Sequence, residues 1–527
     1  MHTQVEDREV GQATAPAPPK RARLIAGIAL LIGLAVVVAL VGAKWPFTER
    51  GVIASLQQQS ASDVHVGGFR QTFFPHPGCV ADDVTFRRSG GTQPLITIRK
   101  LTIVGSYHGL LTQHLDTIRA DGLNVQIDRQ AFAGALGRTV SGLTIGHIIA
   151  DGAQVVVPRQ QVGQPPLVFR IPKLALHDVA DGRPLAFETT LELPRPEAEV
   201  HLAGKFGPWQ PGQTAHARLS GSYAVHRLDL GSFAGLAGQL VASGKFDGQL
   251  QGVKVQGSLD APEFELRQSK HPVHLVADYS AIVDGLNGDV EIEAARTHFR
   301  NTTIVGAGKV SGEGLDQGKA VTAEISSSQA RIEDLLWLFV SDNPPAMMGP
   351  IVFRGKAQIP PTNEMFTKKI TLQGDFGISD AQYPNPKTQK DIDVLSARAR
   401  GRADEVEDAN EKAGGDSYDP GKVLTNLKGH VALSDGIAHL SDISFDVPGA
   451  QAFVSGTYSL LTKKIDLRGH MRLEAELSKT TTGFKSVLLK VLHPFLHKSK
   501  HKVSVVAIRM GGIYGHPTYT VVPKAEK

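Results

Sequence analysis

His493, His497 and His501 recur at every fourth position. On a helix that spacing stacks three imidazoles along one face, a donor set that suits zinc. A helix over Phe484 to Lys502 would set them opposite Phe484, Leu488, Val491 and Phe495 and alongside Lys490, with no carboxylate nearby. A solvated polar face accounts for them better, and no metal is expected. Gly318-Lys319 lacks the upstream glycine of a phosphate-binding loop and is followed by Ala320, and Gly306-Ala307-Gly308 lacks the third glycine of a dinucleotide fingerprint. No Gly-x-Ser-x-Gly elbow and no His-Glu-x-x-His motif occurs. Asp404, Glu405, Glu407, Asp408, Glu411, Asp416 and Asp419 crowd one stretch, but without the Asp-x-Asp-x-Asp-Gly order of a calcium loop. Cys79 is the single cysteine, which excludes an intrachain disulfide and a thiolate cluster. These residues predict no enzyme and no cofactor.

The elements that position the rest begin with Leu24 to Ala43, twenty consecutive residues without a charge, a proline or a side chain more polar than alanine or glycine. At about 1.5 Å per residue a helix of this length spans roughly 30 Å, the apolar thickness of a bilayer. Residues 21–45 are therefore expected to be a transmembrane helix. Lys20, Arg21 and Arg23 on one flank predict a cytoplasmic N-terminus, and Trp45 suits the far interface. Val41-Gly42-Ala43 would also suit a signal-peptide cleavage site, and either reading exports the remainder. Residues 1–20 have no apolar period and are expected to form a disordered cytoplasmic tail. Lysine and arginine exceed aspartate and glutamate by only 56 to 52, so nucleic acid is not an expected partner.

A short helix is expected over Pro46 to Gln59, after which the apolar period changes to two. Val64 and Val66, Val84 and Phe86, Ile96, Ile98, Leu101 and Ile103, then Leu123, Val125 and Ile127 alternate with polar neighbours, as in strands with one buried face. Asp121-Gly122, Asp151-Gly152, Asp181-Gly182, Asp284-Gly285 and Asn287-Gly288 read as tight turns. The first three aspartates are thirty residues apart, and Ala120-Asp121-Gly122 and Ala150-Asp151-Gly152 each lead into an alternating stretch, a degenerate repeat. One helix is expected among the strands, from Ile332, Leu335, Leu336 and Phe339, ended by Pro344-Pro345. The predicted fold class is mainly β with few short helices. Residues 46–400 form the β-rich region, 401–421 a disordered acidic loop, and 422–527 a C-terminal region with an amphipathic helix at about 482–497.

Phe73-Phe74-Pro75-His76-Pro77-Gly78 precedes Ala81-Asp82-Asp83-Val84; Phe206-Gly207-Pro208-Trp209 follows; then Asp435-Gly436 leads to Phe445-Asp446-Val447-Pro448-Gly449-Ala450. Val454-Ser455-Gly456-Thr457-Tyr458-Ser459-Leu460 and Ile465-Asp466-Leu467-Arg468-Gly469 complete the series. Behind one apolar helix, this order resembles the AsmA family of bacterial envelope proteins over most of residues 24–523, departing from it at the acidic insertion. The resemblance implies a single-pass inner-membrane protein with its bulk in the periplasm, whose stacked antiparallel strands form an elongated β-groove with an apolar interior. It also implies a role in outer-membrane homeostasis through phospholipid conducted between membranes, with the outer membrane or an envelope protein as a further partner. Some twenty-five strands at about 4.8 Å would reach on the order of 120 Å. The period of two sets Val253, Val255, Leu275, Ala277, Val290 and Ile292 as the expected groove lining. The alternative is an assembly scaffold for outer-membrane proteins that binds client strands at a sheet edge.

Leu477 to Ala525 contains no aspartate or glutamate but six lysines between Lys479 and Lys502. Phe484, Lys485, Leu488, Lys490, Val491, Phe495, Lys498 and Lys500 are the candidates for contact with an anionic membrane surface. A helix capping the end of the β region is the competing reading.

Overall fold

The computed structural model describes residues 47–60, 62–87, 93–126, 144–157, 166–180, 182–194, 196–208, 214–312, 318–362, 364–400, 423–473, 504–514 and 516–521. The expected tail, transmembrane helix, acidic loop and 482–497 helix, with its interface candidates and the three histidines, lie outside these residues. Among the described residues no helix is long and apolar enough to cross a membrane.

Helix α1 (Glu49–Ser60) leads into β1 (Asp63–His65), β2 (Gly68–Thr72), β3 (Gly78–Arg87), β4 (Pro94–Gly105), α2 (Tyr107–Thr112), β5 (His114–Gln126) and β6 (Thr144–Val157). There follow β7 (Leu167–Ala180), β8 (Leu185–Pro194), β9 (Glu197–Phe206), β10 (Arg218–Asp229), the two-residue β11 (Leu236–Ala237), β12 (Gln239–Gln249) and β13 (Gly252–Leu266). Next come β14 (Val273–Val283), β15 (Val290–Phe299), β16 (Thr302–Ser311), β17 (Ala320–Arg331), α3 (Ile332–Phe339), β18 (Pro350–Ile359) and α4 (Phe366–Lys369). The chain continues through β19 (Thr371–Ala381), α5 (Pro386–Ala399), β20 (Thr425–Ser434), β21 (Ile437–Val447), β22 (Ala450–Ser459), β23 (Ile465–Leu473), β24 (Ser504–Ile513) and β25 (His516–Val521). Apart from β11, which pairs only with β13, the strands make one mixed sheet of 24. Beyond β3 each strand lies beside its neighbour in sequence, β10 pairing directly with β12.

The pairing is antiparallel except at β5 and β6, which run parallel, so the expectation of antiparallel strands throughout is corrected. The thirty-residue repeat supplies the reason: Ala120, Asp121 and Val125 stand opposite Ala150, Asp151 and Val155. Asp121-Gly122 and Asp151-Gly152 are accordingly not turns but lie within β5 and β6, where Gly122 and Gly152 adopt φ of +65° and +66°. Glycine takes that conformation at no steric cost, so the strand kinks without ending. Asp284 and Asn287 do sit in the β14–β15 turn, their side chains accepting from Leu286 N at 2.8 Å and Asp289 N at 2.7 Å. Helix α3 falls where its apolar period places it. Helix α5 is an addition to the period-two reading of this region; it buries Val394, Leu395, Ala397 and Ala399 against Val447, Ala450 and Leu473.

The N-terminal third is a filled core. Phe86, Ile98, Leu101, Ile118, Leu123 and Ile148 all come from one sheet face and pack with Val52 and Leu56 of α1, each contributing about 1.5–3 kcal/mol by leaving water. Further along, the sheet coils on itself. Gln268 in the β13–β14 turn donates to Leu460 O in the β22–β23 turn, nine strands away. Phe366 N donates to Ala234 O at 3.0 Å, Ala346 N to Tyr514 Oη at 2.7 Å, and Lys463 Nζ lies 2.8 Å from Asp342 Oδ2. In a flat sheet at about 4.8 Å per strand the first pair would stand roughly 40 Å apart. Each contact joins the rim at the C-terminal ends of β13 and β17 to the opposite rim of later strands, so successive turns of the coil stack rim on rim. A coil of this kind reaches less far than the same strands laid side by side.

Candidate functional site

The register puts all six expected lining residues on one face. Val253 and Val255 stand opposite Val283 and Ala281; Leu275 and Ala277 opposite Ala261 and Leu259. Val290 and Ile292 pair with the same Val283 and Ala281 from the other side. Val253 and Ala277 are buried, and the other four are half-buried. Leu275 is covered from above, because Leu335, Trp337, Leu338 and Phe339 of α3 pack on it together with Leu266, Val273 and Phe299.

The same face continues beyond the residues singled out by sequence. Ile292 leads through Gly308 to Ala323, Ala357, Leu372 and Leu433, strand by strand. Ile292, Val310, Val321, Ile325, Ile359 and Leu372 are half-buried and belong to none of the buried clusters of the described residues. The part of the apolar face outside the clusters therefore lies on β15 to β20, away from the rim where Ile351, Phe353, Phe376 and Ile378 cluster with Ile332 and Leu335 of α3, between the filled N-terminal core and the region under α5.

Along the middle of this face runs a row with little bulk: Gly244, Gly257, Tyr279, Ala295, Gly306, Ile325, Gly355 and Gly374 are successive cross-strand partners. A Cβ on Gly374 would stand 2.3 Å from Arg354 O and 2.6 Å from the Cα of Gly355. The neighbouring backbone can approach so closely only where the sheet bends toward this face, so the apolar side is the concave one and the glycines are its floor. At one end of the row Tyr223 reaches across Gly244 and Gly257 to hydrogen-bond the hydroxyl of Tyr279. Burial, and then the second hydroxyl, push the Tyr223 phenol above its ordinary range. Sequence reasoning passed over the bar. The signal was a pair of glycines in register with two tyrosines, visible only once the strands are paired.

The opposite face is mostly polar and solvated, with Val241, Val305 and Val352 exposed among its charges. Glu291 faces Lys309 at 3.8 Å, Glu324 faces Lys356 at 2.7 Å, and Arg218 lies 3.2 Å from Asp247. The Lys356 ammonium holds the Glu324 carboxyl below its usual range. Exposed pairs of this kind add little to stability, being screened by solvent, and chiefly favour one register. A hollow of about 700 Å³ opens on this outer face, lined by Ser243, Asp260, Val276, Asp278, Arg296 and His298. Its charges are of both signs, and His274 already binds Asp260 at 2.9 Å, so it selects for no one ligand charge.

Helix α3 is held to the rim by Asp334, which is fully buried and accepts from Arg300 Nε, Asn301 N and Thr302 Oγ1, each at 2.9 Å. Trp337 on the same helix stacks on His271 at 4.0 Å, with the Arg300 guanidinium 4.7 Å from its ring. The arrangement is structural: every polar group of the Asp334 carboxylate is spent on the β15–β16 turn. Among the described residues no three His, Cys, Asp or Glu side chains converge as a metal site. Burial pushes the Cys79 thiol up to about 12, well away from a reactive thiolate. No family model, no curated protein and no solved structure matches the chain.

Proposed function

We propose that this is an AsmA-like protein of the bacterial inner membrane, anchored by residues 21–45 with its N-terminus cytoplasmic and its β-sheet in the periplasm. Its concave face is then a coiled groove that holds the acyl chains of phospholipid and conducts them between membranes. The observation that carries the reading is the uncovered apolar face on β15 to β20, bordered by a covered face on both sides. Its side chains are half-buried without joining any packed cluster of the described residues, and an apolar face that no element of the fold covers usually marks an apolar ligand or partner. Acyl chains suit it because they are slender enough to lie along a glycine floor and need no hydrogen bonds from it. The polar, charge-paired outer face stays in water. The role is one of binding and conduction and calls for no cofactor.

The test is a photo-crosslinking residue placed in the full chain at Ile325 or Val255 on the concave face, or at Lys254 or Lys309 on the outer face. Phospholipid adducts detected by mass spectrometry are expected at the first two positions only. Equal labelling on both faces refutes the reading. Val255→Asp is expected to block lipid transfer with the anchor intact, since a carboxylate without a partner is costly against an apolar ligand.

One observation favours the second reading, an assembly scaffold for outer-membrane proteins. Among the described residues β25 pairs only with β24, which leaves an edge able to accept a client strand. Strand capture would place crosslinks at Thr518 and Thr520 on client protein rather than at Ile325 on lipid.

A further inference from the structure

Phe73, Phe74 and Tyr107 project from the surface, 61%, 85% and 57% exposed, and Phe74 is the most exposed large apolar side chain among the described residues. They sit on two neighbouring turns, one between β2 and β3 and one at the start of α2. Tyr107 Oη donates to Phe73 O, and Gly105 N donates to Pro77 O at 2.8 Å. Ser106 Oγ, accepting from Gly109 N at 3.1 Å, caps α2 beneath them. The turns are thus tied into a single tip. Charge around it does not oppose contact with lipid: Arg70, His76 and His108 are exposed, while the nearby carboxylates are engaged, Asp82 with Arg70 at 3.0 Å and Asp116 with Ser106 at 3.4 Å.

The place of the chain's entry makes this tip informative. β1 and β2 run along β3 from its Arg87 end to its Gly78 end, and the tip is at the Gly78 end. Only two residues separate α1 from β1, and Phe47 just ahead of α1 and Val52 and Leu56 on it are buried in the same core as Val64, Val66 and Ile103. The short link and the shared core are what a helix turned back along β1 and β2 would give, and that orientation would set its start toward the tip. Upstream, just Lys44, Trp45 and Pro46 separate Phe47 from the apolar run that ends at Ala43. At about 3.3–3.6 Å per residue this link spans roughly 15 Å at most.

We infer that the Phe73–Phe74–Tyr107 tip is a membrane-contact site, seated in the headgroup interface of the phospholipid bilayer that holds Leu24 to Ala43. Aromatic side chains with an apolar body and a polar edge favour that layer. The contact rests on the transmembrane reading of residues 21–45, and it docks the closed N-terminal end of the sheet on the membrane instead of leaving it on a tether.

The experiment uses full-length protein in vesicles of phosphatidylethanolamine and phosphatidylglycerol, spin-labelled in turn at Phe74→Cys, Leu34→Cys and Lys254→Cys. Cys79 is buried and needs no replacement. Collision rates with oxygen, which partitions into lipid, and with a water-soluble nickel chelate report the depth of each label. The label at position 74 is expected to show an oxygen-to-nickel ratio several-fold above that at 254, with 34 deeper still. A water-like ratio at 74 overturns the inference, whatever 34 reports. Shielding of 74 from both reagents also overturns it, since that is the signature of a protein partner such as a second copy. A water-like ratio at 34 would separately remove the transmembrane reading, so the two failures are told apart.

Discussion

Gly257→Ala tests whether the tyrosine bar and the bent sheet are what the glycine row accommodates. The new methyl would lie 2.2 Å from Tyr223 Oη and 2.4 Å from Ser243 O, against the roughly 3.5–4 Å of a relaxed contact. Swinging the tyrosine aside forfeits its bond to Tyr279, about 1 kcal/mol. The Ser243 carbonyl is backbone and cannot swing, so overpacking against it adds about 1–3 kcal/mol. Replacing glycine in a strand returns about 0.5–1 kcal/mol, and the net expectation is a loss of roughly 1–3 kcal/mol. In a Tyr223→Phe background the hydroxyl is gone, so the same substitution should cost about 1 kcal/mol less. Unfolding of so long a sheet need not be two-state, so the assay is hydrogen exchange at the β13 and β14 amides, which reads local opening. Equal costs in the two backgrounds, within the about 0.3–0.5 kcal/mol expected of independent sites, would refute the geometry. So would no cost at all.

Asp334→Ala should release α3 from the β15–β16 turn by stranding Arg300, the Asn301 amide and the Thr302 hydroxyl. Because Arg300 is part-exposed, the loss should fall below the about 3–5 kcal/mol of a fully buried pair, and it is read as faster exchange in α3 with the N-terminal core unchanged. The Cys79 thiol should resist a disulfide reagent at pH 8 in the folded protein and react once the protein is unfolded; rapid reaction in the native state would contradict its burial. Since folding raises this thiol from 9.0 to about 12, its contribution is fully present below the unfolded value and is lost as pH climbs from about 9 toward 12. Cys79→Ala should therefore flatten the fall of stability across that window, by up to about 1.4 kcal/mol per pH unit.

Much of this architecture is written locally. In β13 the alternation of Val253, Val255 and Leu259 with Lys254, Gln256 and Ser258 assigns each residue to a face, because the pleat turns every second side chain the same way. Asp284 and Asn287 mark a turn through bonds to their own backbone two residues on, and the apolar spacing of Ile332, Leu335 and Phe339 needs only its own helix. The thirty-residue repeat was also legible, but its meaning was not: only pairing reveals that Asp121 and Asp151 are neighbours in a parallel pair and that their glycines kink strands instead of ending them. Helix α5 escaped because its apolar residues face strands β21 to β24, which the sequence places fifty to a hundred residues away. Longer separations still, 192 and 168 residues, hid the coil, whose contacts join Gln268 to Leu460 and Ala346 to Tyr514. Alternation says which side chains are apolar and which way they point, but whether anything covers them depends on curvature. Curvature is set by backbones meeting at glycines on adjacent strands and by rims meeting several strands apart, so only the folded sheet decides that Val253 is buried in a packed core while Ile325 is half-buried and outside every cluster of the described residues.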